Sequence, residues 1–183
     1  MITISRGVLL VTLAAVGLSM TAVAQTEFRA AGHGVITATG TPGCQFTAAG
    51  CAVSSRGTLQ GALIGDATFE SSLTVAWFAA TPNGAGGYCA PASGTVDVMS
   101  EHGTLKLQEQ GTVCEVGATA SQAPHTFNAT FYILGGTGRF ADLQGTGTAV
   151  SSDDGHGKIL AHLDGTVATL GSEEGPSPGT QTP

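Results

Sequence analysis

Along most of this chain, apolar and polar residues alternate one by one, the period of an extended strand with one face turned inward. Phe69, Leu73, Val75 and Trp77 share one side of a segment whose other side carries Glu70, Ser72 and Thr74. Phe127, Ala129, Phe131 and Ile133 alternate with Asn128 and Thr130, and Ile159, Ala161, Leu163 and Val167 with His162, Asp164 and Thr166. Glycine, proline and asparagine breaks divide the pattern into eight predicted strands: Glu27 to Thr39, Gly57 to Ile64, Thr68 to Ala79, Gly94 to Ser100, Thr104 to Val113, Thr126 to Leu134, Gly145 to Ser151 and Lys158 to Leu170. No window has a helical period. Eight mostly antiparallel strands, each with one apolar face, predict a closed β-barrel, because closure removes the edges that an open sheet leaves unpaired. A two-sheet sandwich is the alternative.

The sharpest local signal is the run from Phe131 to Phe140, where a strand ends in Gly135-Gly136-Thr137-Gly138 and a second strand follows from Gly145. It predicts a β-hairpin, with Ile133 and Phe140 packed to one apolar side. Asp153-Asp154-Gly155-His156-Gly157 predicts a polar turn before the last strand, and it lacks the ligand spacing of a calcium loop. The stretch Thr81 to Ser93 reads as the longest connection.

The ends of the chain read differently. Residues 1–24 have the form of a secretory signal peptide, with Arg6, an apolar stretch from Gly7 to Leu18, and Ala22-Val23-Ala24 before Gln25. That stretch is too short for a membrane span. Residues 171–183 have no apolar residue able to dock and predict a disordered tail. One domain, residues 25–170, lies between, and the expected location is outside the cytoplasm, secreted or periplasmic.

Glycine contributes 28 of 183 residues, which suits a sheet with close turns better than a helix bundle. From Gln25 onward five basic residues face thirteen acidic ones, a formal charge of −8 with histidine neutral. A surface of that sign repels phosphate backbones and anionic membranes, so neither nucleic acid nor a membrane is an expected partner. Four cysteines, Cys44, Cys51, Cys89 and Cys114, follow the leader, and in an oxidising compartment they predict disulfides. Three pairings exist; Cys44 with Cys51 and Cys89 with Cys114 is the one preferred here. No Cys-x-x-Cys spacing supports a metal.

Gly135-Gly136-Thr137-Gly138-Arg139-Phe140 followed by Gly145 resembles the signature of dirigent proteins and the related allene oxide cyclase barrels. Arg56-Gly57-Thr58-Leu59-Gln60-Gly61, leading into Ala62-Leu63-Ile64, is similar to a glycine-x-x-Gln-Gly strand of dirigent proteins. The resemblance implies an eight-stranded antiparallel barrel with an internal hydrophobic cavity, a trimer in many plant members, in relatives that steer or cyclise reactive small molecules. One position departs from it: dirigent proteins usually carry arginine before the glycine matching Gly145, and here Gln144 stands there.

Candidate chemistry is sparse. Phe69, Trp77, Phe131 and Tyr132 are the candidate lining of a cavity for a small apolar or aromatic ligand, and Arg139 is a candidate anchor for a carboxylate or carbonyl. His33 and His162, the latter beside Asp164, become neighbours if the first and last strands pair. Asn128-Ala129-Thr130 matches a glycosylation acceptor by composition only. No nucleophile elbow, phosphate loop or zinc motif occurs, and no cofactor is indicated. Three functions remain open on sequence grounds: a ligand-binding barrel, a cyclase or isomerase acting by orientation, and a non-enzymatic envelope or extracellular interaction protein with a filled barrel.

Overall fold

The computed structural model describes residues 25–117 and 123–170. The predicted leader and tail lie outside the described residues. Among the described residues there are nine strands: β1 (Gln25–Ala38), β2 (Cys51–Gly61), β3 (Gly65–Val75), β4 (Thr81–Pro82), β5 (Tyr88–Ser100), β6 (Gly103–Glu115), β7 (His125–Gly136), β8 (Leu143–Asp153) and β9 (Lys158–Thr169). Every pairing is antiparallel. Chain neighbours pair in turn, β3 pairs with β5, and β1 with β9, so eight strands close into an up-and-down barrel. β4 is a two-residue strand on the outside, with Thr81 opposite Cys89.

The barrel and both preferred disulfides are as expected. Cys44–Cys51 ties the β1–β2 connection to the start of β2, and Cys89–Cys114 joins directly opposed residues of β5 and β6. Two disulfides fit an oxidising compartment. Among the described residues no helix is long and apolar enough to cross a membrane.

Several strands are longer than the sequence pattern predicted. β5 begins at Tyr88, so the connection expected over Thr81 to Ser93 contracts to residues 83–87. Ala90 and Ala92 supply its inward positions, opposite Val113 and Gly111, and alanine lacks the bulk that makes alternation visible. β2 likewise starts at Cys51, opposite Val75, well before Gly57. Trp77 is not on a strand at all: β3 stops at Val75, and Trp77–Ala79 form a single 3-10 turn.

One half of the barrel is solid. Phe28, Val98, Leu105, Leu107 and Phe131 fill its interior, while Ile64 from the β2–β3 turn and Phe140 from the β7–β8 connection close its end; all seven are essentially inaccessible. Phe28 and Phe131 meet edge to face with ring centroids 5.6 Å apart.

Inward glycines make room for two of the rings. Gly34 and Gly57 are cross-strand partners on β1 and β2, and Phe69 of β3, opposite Gly57, lies over both. A Cβ at Gly34 would come within 2.9 Å of that ring, and one at Gly57 within 2.7 Å. Gly165 and Gly147 on β9 and β8 repeat the arrangement under Phe131 of β7, with the same two distances of 2.9 and 2.7 Å. Glycine here trades side-chain volume for strong strand coiling, and the aromatic ring covers the exposed backbone.

The Gly135–Phe140 run forms the expected hairpin connection and serves the closed end. Gly138 takes a φ of 60°, which brings Arg139 N–H to the His102 carbonyl at 2.9 Å. The Thr137 hydroxyl accepts the Thr104 N–H at 3.1 Å and lies 2.8 Å from the Thr104 hydroxyl. The signature turn is thereby clamped onto the β5–β6 turn, and Phe140 is held in the barrel floor.

Candidate functional site

Above the filled half, the barrel is hollow. The cavity holds about 340 Å³ and is walled mainly by apolar side chains, among them Ile36, Val53, Leu73, Val75, Phe127 and Ile159. Phe69 lies at its filled-half side, and Thr39, Gly40, Cys44 and Trp77 bound it at the end where the long connections run. The Cys44–Cys51 disulfide fixes that part of the rim. Since the other end is packed shut, the cavity has a single mouth.

Few polar groups reach this interior. The Ser55 and Ser71 hydroxyls, directly opposed on β2 and β3, lie 2.6 Å apart. At the mouth His125 of β7 places Nδ1 3.1 Å from Asp153 Oδ2 of β8, and the Asp153 side chain is only 13 % exposed. An ionised carboxylate can only accept, so in this pair Nδ1 is the donor. The indole of Trp77 tilts against the imidazole, centroids 6.0 Å apart.

Glu109 is the exceptional residue. It occupies an inward position on β6 in the series Leu105, Leu107, Glu109, Gly111, Val113, flanked by Gly94 on β5 and Phe131 on β7. Its carboxyl makes no hydrogen bond or ion pair with any described residue. No buried polar side-chain atom among the described residues lacks a partner, so these unpaired oxygens must open onto the cavity. Burial among apolar walls pushes the Glu109 carboxyl up to about 7.

The residues singled out from sequence are dispersed by this geometry. Phe69 and Trp77 line the cavity. Phe131 belongs to the solid half, below it. Tyr132, next along β7, is half-exposed on the outer surface, because consecutive strand residues face opposite ways. Arg139 is exposed at the closed end, remote from the mouth, and forms no ion pair with Asp142. Gln144 is also outward there.

His33 and His162 do become neighbours through the β1–β9 pairing, one diagonal step apart, but both are exposed on the outside of the barrel. Asp164 is engaged by Arg29 at 3.2 Å. In the Asp153–Gly157 turn the Asp153 carboxylate accepts the Gly155 N–H and that of Asp154 accepts those of His156 and Lys158. These bonds, from Lys158 first and His156 next, hold the Asp154 carboxyl below its usual value. Asn128 is exposed mid-strand on β7.

Glu109, His125 and the serine pair were not anticipated. The signal for Glu109 was present: one acid in an otherwise apolar or glycine series at strand period.

No protein-family model matches the chain, and no curated protein is significantly similar to it. The chemistry of the site rests on its own residues.

Proposed function

We propose that this is an exported barrel protein that binds one small, mainly apolar molecule in its single-mouthed cavity. The observation that carries the reading is the contrast between the two halves of one barrel, one packed solid and the other left hollow behind apolar walls. Side chains that fill the first half show that the fold can close its interior, so the empty volume is a property of the sequence rather than of eight-stranded geometry. Its size falls at the lower end for small-molecule sites. The predicted leader and the resemblance to dirigent and allene oxide cyclase barrels support the same reading.

Trp77 is the only tryptophan and lines the cavity, so its emission reports occupancy. Titration with 4-phenylbutanol is expected to shift that emission saturably with one molecule per chain, and the cavity-filling variant Leu73→Trp, followed by calorimetry, is expected to abolish binding. Binding that does not saturate, or that persists in the filled variant, would refute the reading.

A second reading, an isomerase or cyclase, is favoured by the inward, unpaired Glu109. In it the Glu109 carboxylate removes a proton α to a substrate carbonyl and returns it to the resulting enolate at the other end. The check is deuterium uptake by 4-phenyl-2-butanone in D₂O. Exchange above the buffer rate, suppressed in Glu109→Gln, is expected; exchange at the buffer rate would eliminate this reading.

A further inference from the structure

The interior is apolar but not electrically neutral in design. The titratable residues around the cavity are Glu109, His125, Asp153 and His162, and the last is exposed on the outer face of β9. Asp153 is already occupied, by His125 through one oxygen and by the Gly155 N–H through the other. Glu109 stands alone. Its strand neighbours at that level, Gly94 and Phe131, cannot titrate, and no lysine or arginine lines the cavity among the described residues.

From this we infer that the occupant is an organic cation, a protonated amine on an apolar body whose ammonium group pairs with the Glu109 carboxylate. The inference rests on the ligand-binding reading above and names the class of ligand. An ammonium group entering the cavity meets an anion whose desolvation was incurred on folding, so only the ligand's own desolvation opposes pairing. The surrounding apolar wall strengthens the attraction, and the hydroxyls of Ser55, Ser71 and Ser151 are further acceptors on the same wall. A carboxylate ligand meets the opposite situation, two acids and no fixed cation. The formal charge of −7 over the whole chain favours the approach of cations at long range.

The sign of the pH response separates an amine from a neutral ligand. An amine needs ionised Glu109, so its affinity rises with pH up to about 7, the value to which burial raises that carboxyl, and then levels until the amine itself loses its proton. A neutral ligand gains nothing from that charge. The experiment is calorimetric titration of the exported chain with 4-phenylbutylamine, 4-phenylbutanol and 4-phenylbutanoic acid at pH 5, 6, 7 and 8. At pH 8 the amine is expected to bind at least about tenfold more tightly than the acid, and below pH 7 to weaken by about tenfold per unit. At pH 6, paired titrations in buffers of unlike ionisation heat are expected to show release of close to one proton per amine bound. In Glu109→Gln the affinities should converge.

An amine that binds no better than the alcohol at pH 8, or an amine preference surviving in Glu109→Gln, would overturn the inference while leaving the ligand-binding reading intact. Failure of all three compounds to bind would bring down both. The pH series and proton release use the parent chain, so the inference can be refuted even if the variant does not fold.

Discussion

At pH 8, Glu109→Gln is expected to be more stable than the parent chain by about 2 kcal/mol, and at pH 5 the advantage should have largely gone. The direction follows from proton counting. The Glu109 carboxyl holds its proton up to about 7 in the folded barrel, whereas the unfolded chain releases it near its ordinary value of 4.5. Between those values the folded state binds more protons than the unfolded state, so the parent chain's stability falls as pH rises through that window. The full shift corresponds to about 3 kcal/mol, and water entering the mouth screens part of it. Urea midpoints of parent and variant at pH 5 and pH 8 provide the check. A parent stability that is flat across this range, or the same slope in the variant, would show that Glu109 is not desolvated as described.

Gly57→Val is expected to cost about 3 kcal/mol or more, beyond the usual range for an enlarged core side chain. The added Cβ collides with the His33 carbonyl oxygen and comes within 2.5 Å of Gly34 Cα, both backbone atoms of β1, as well as 2.7 Å from the Phe69 ring. A side chain can rotate away; a paired strand cannot. Removing the ring in a Gly57→Val/Phe69→Ala double variant should therefore fail to restore stability. Thr58→Val, one residue along and exposed, should stay within about 0.5 kcal/mol of the parent chain. Thermal or urea unfolding of the three variants measures this, and a Gly57→Val barrel as stable as the parent would contradict the close approach of β1 and β2.

Where bulky residues alternate, the barrel could be read directly from sequence: Phe127 to Ile133 and Ile159 to Val167 announce both their strands and the faces they bury. Where alanine, serine or glycine fills the inward positions, the period is still present but carries little contrast. The early parts of β2 and β5 were missed for that reason. The site was less legible. Aromatic residues draw attention by size, yet size does not say whether a ring lies in the solid half, as Phe131 does, outside the barrel, as Tyr132 does, or against the cavity, as Phe69 and Trp77 do. That depends on strand parity and on depth along the axis, and only parity is written in the local pattern. Glu109 has the parity of a core residue and the chemistry of a surface one. His125 and Asp153 meet through the β7–β8 alignment, which no single strand reveals.

The two glycine and phenylalanine triplets bear on ancestry. Read from the amino terminus, the first runs Gly34, Gly57, Phe69 and the second Phe131, Gly147, Gly165. A copied and fused stretch of gene would keep its order, and these two are reversed. They match across the β1–β9 seam as reflections in strand order, not as repeats along the chain. Their likeness is thus not that of a tandem repeat: one packing demand, an aromatic ring over glycines where neighbouring strands press close, is met on both sides of the seam.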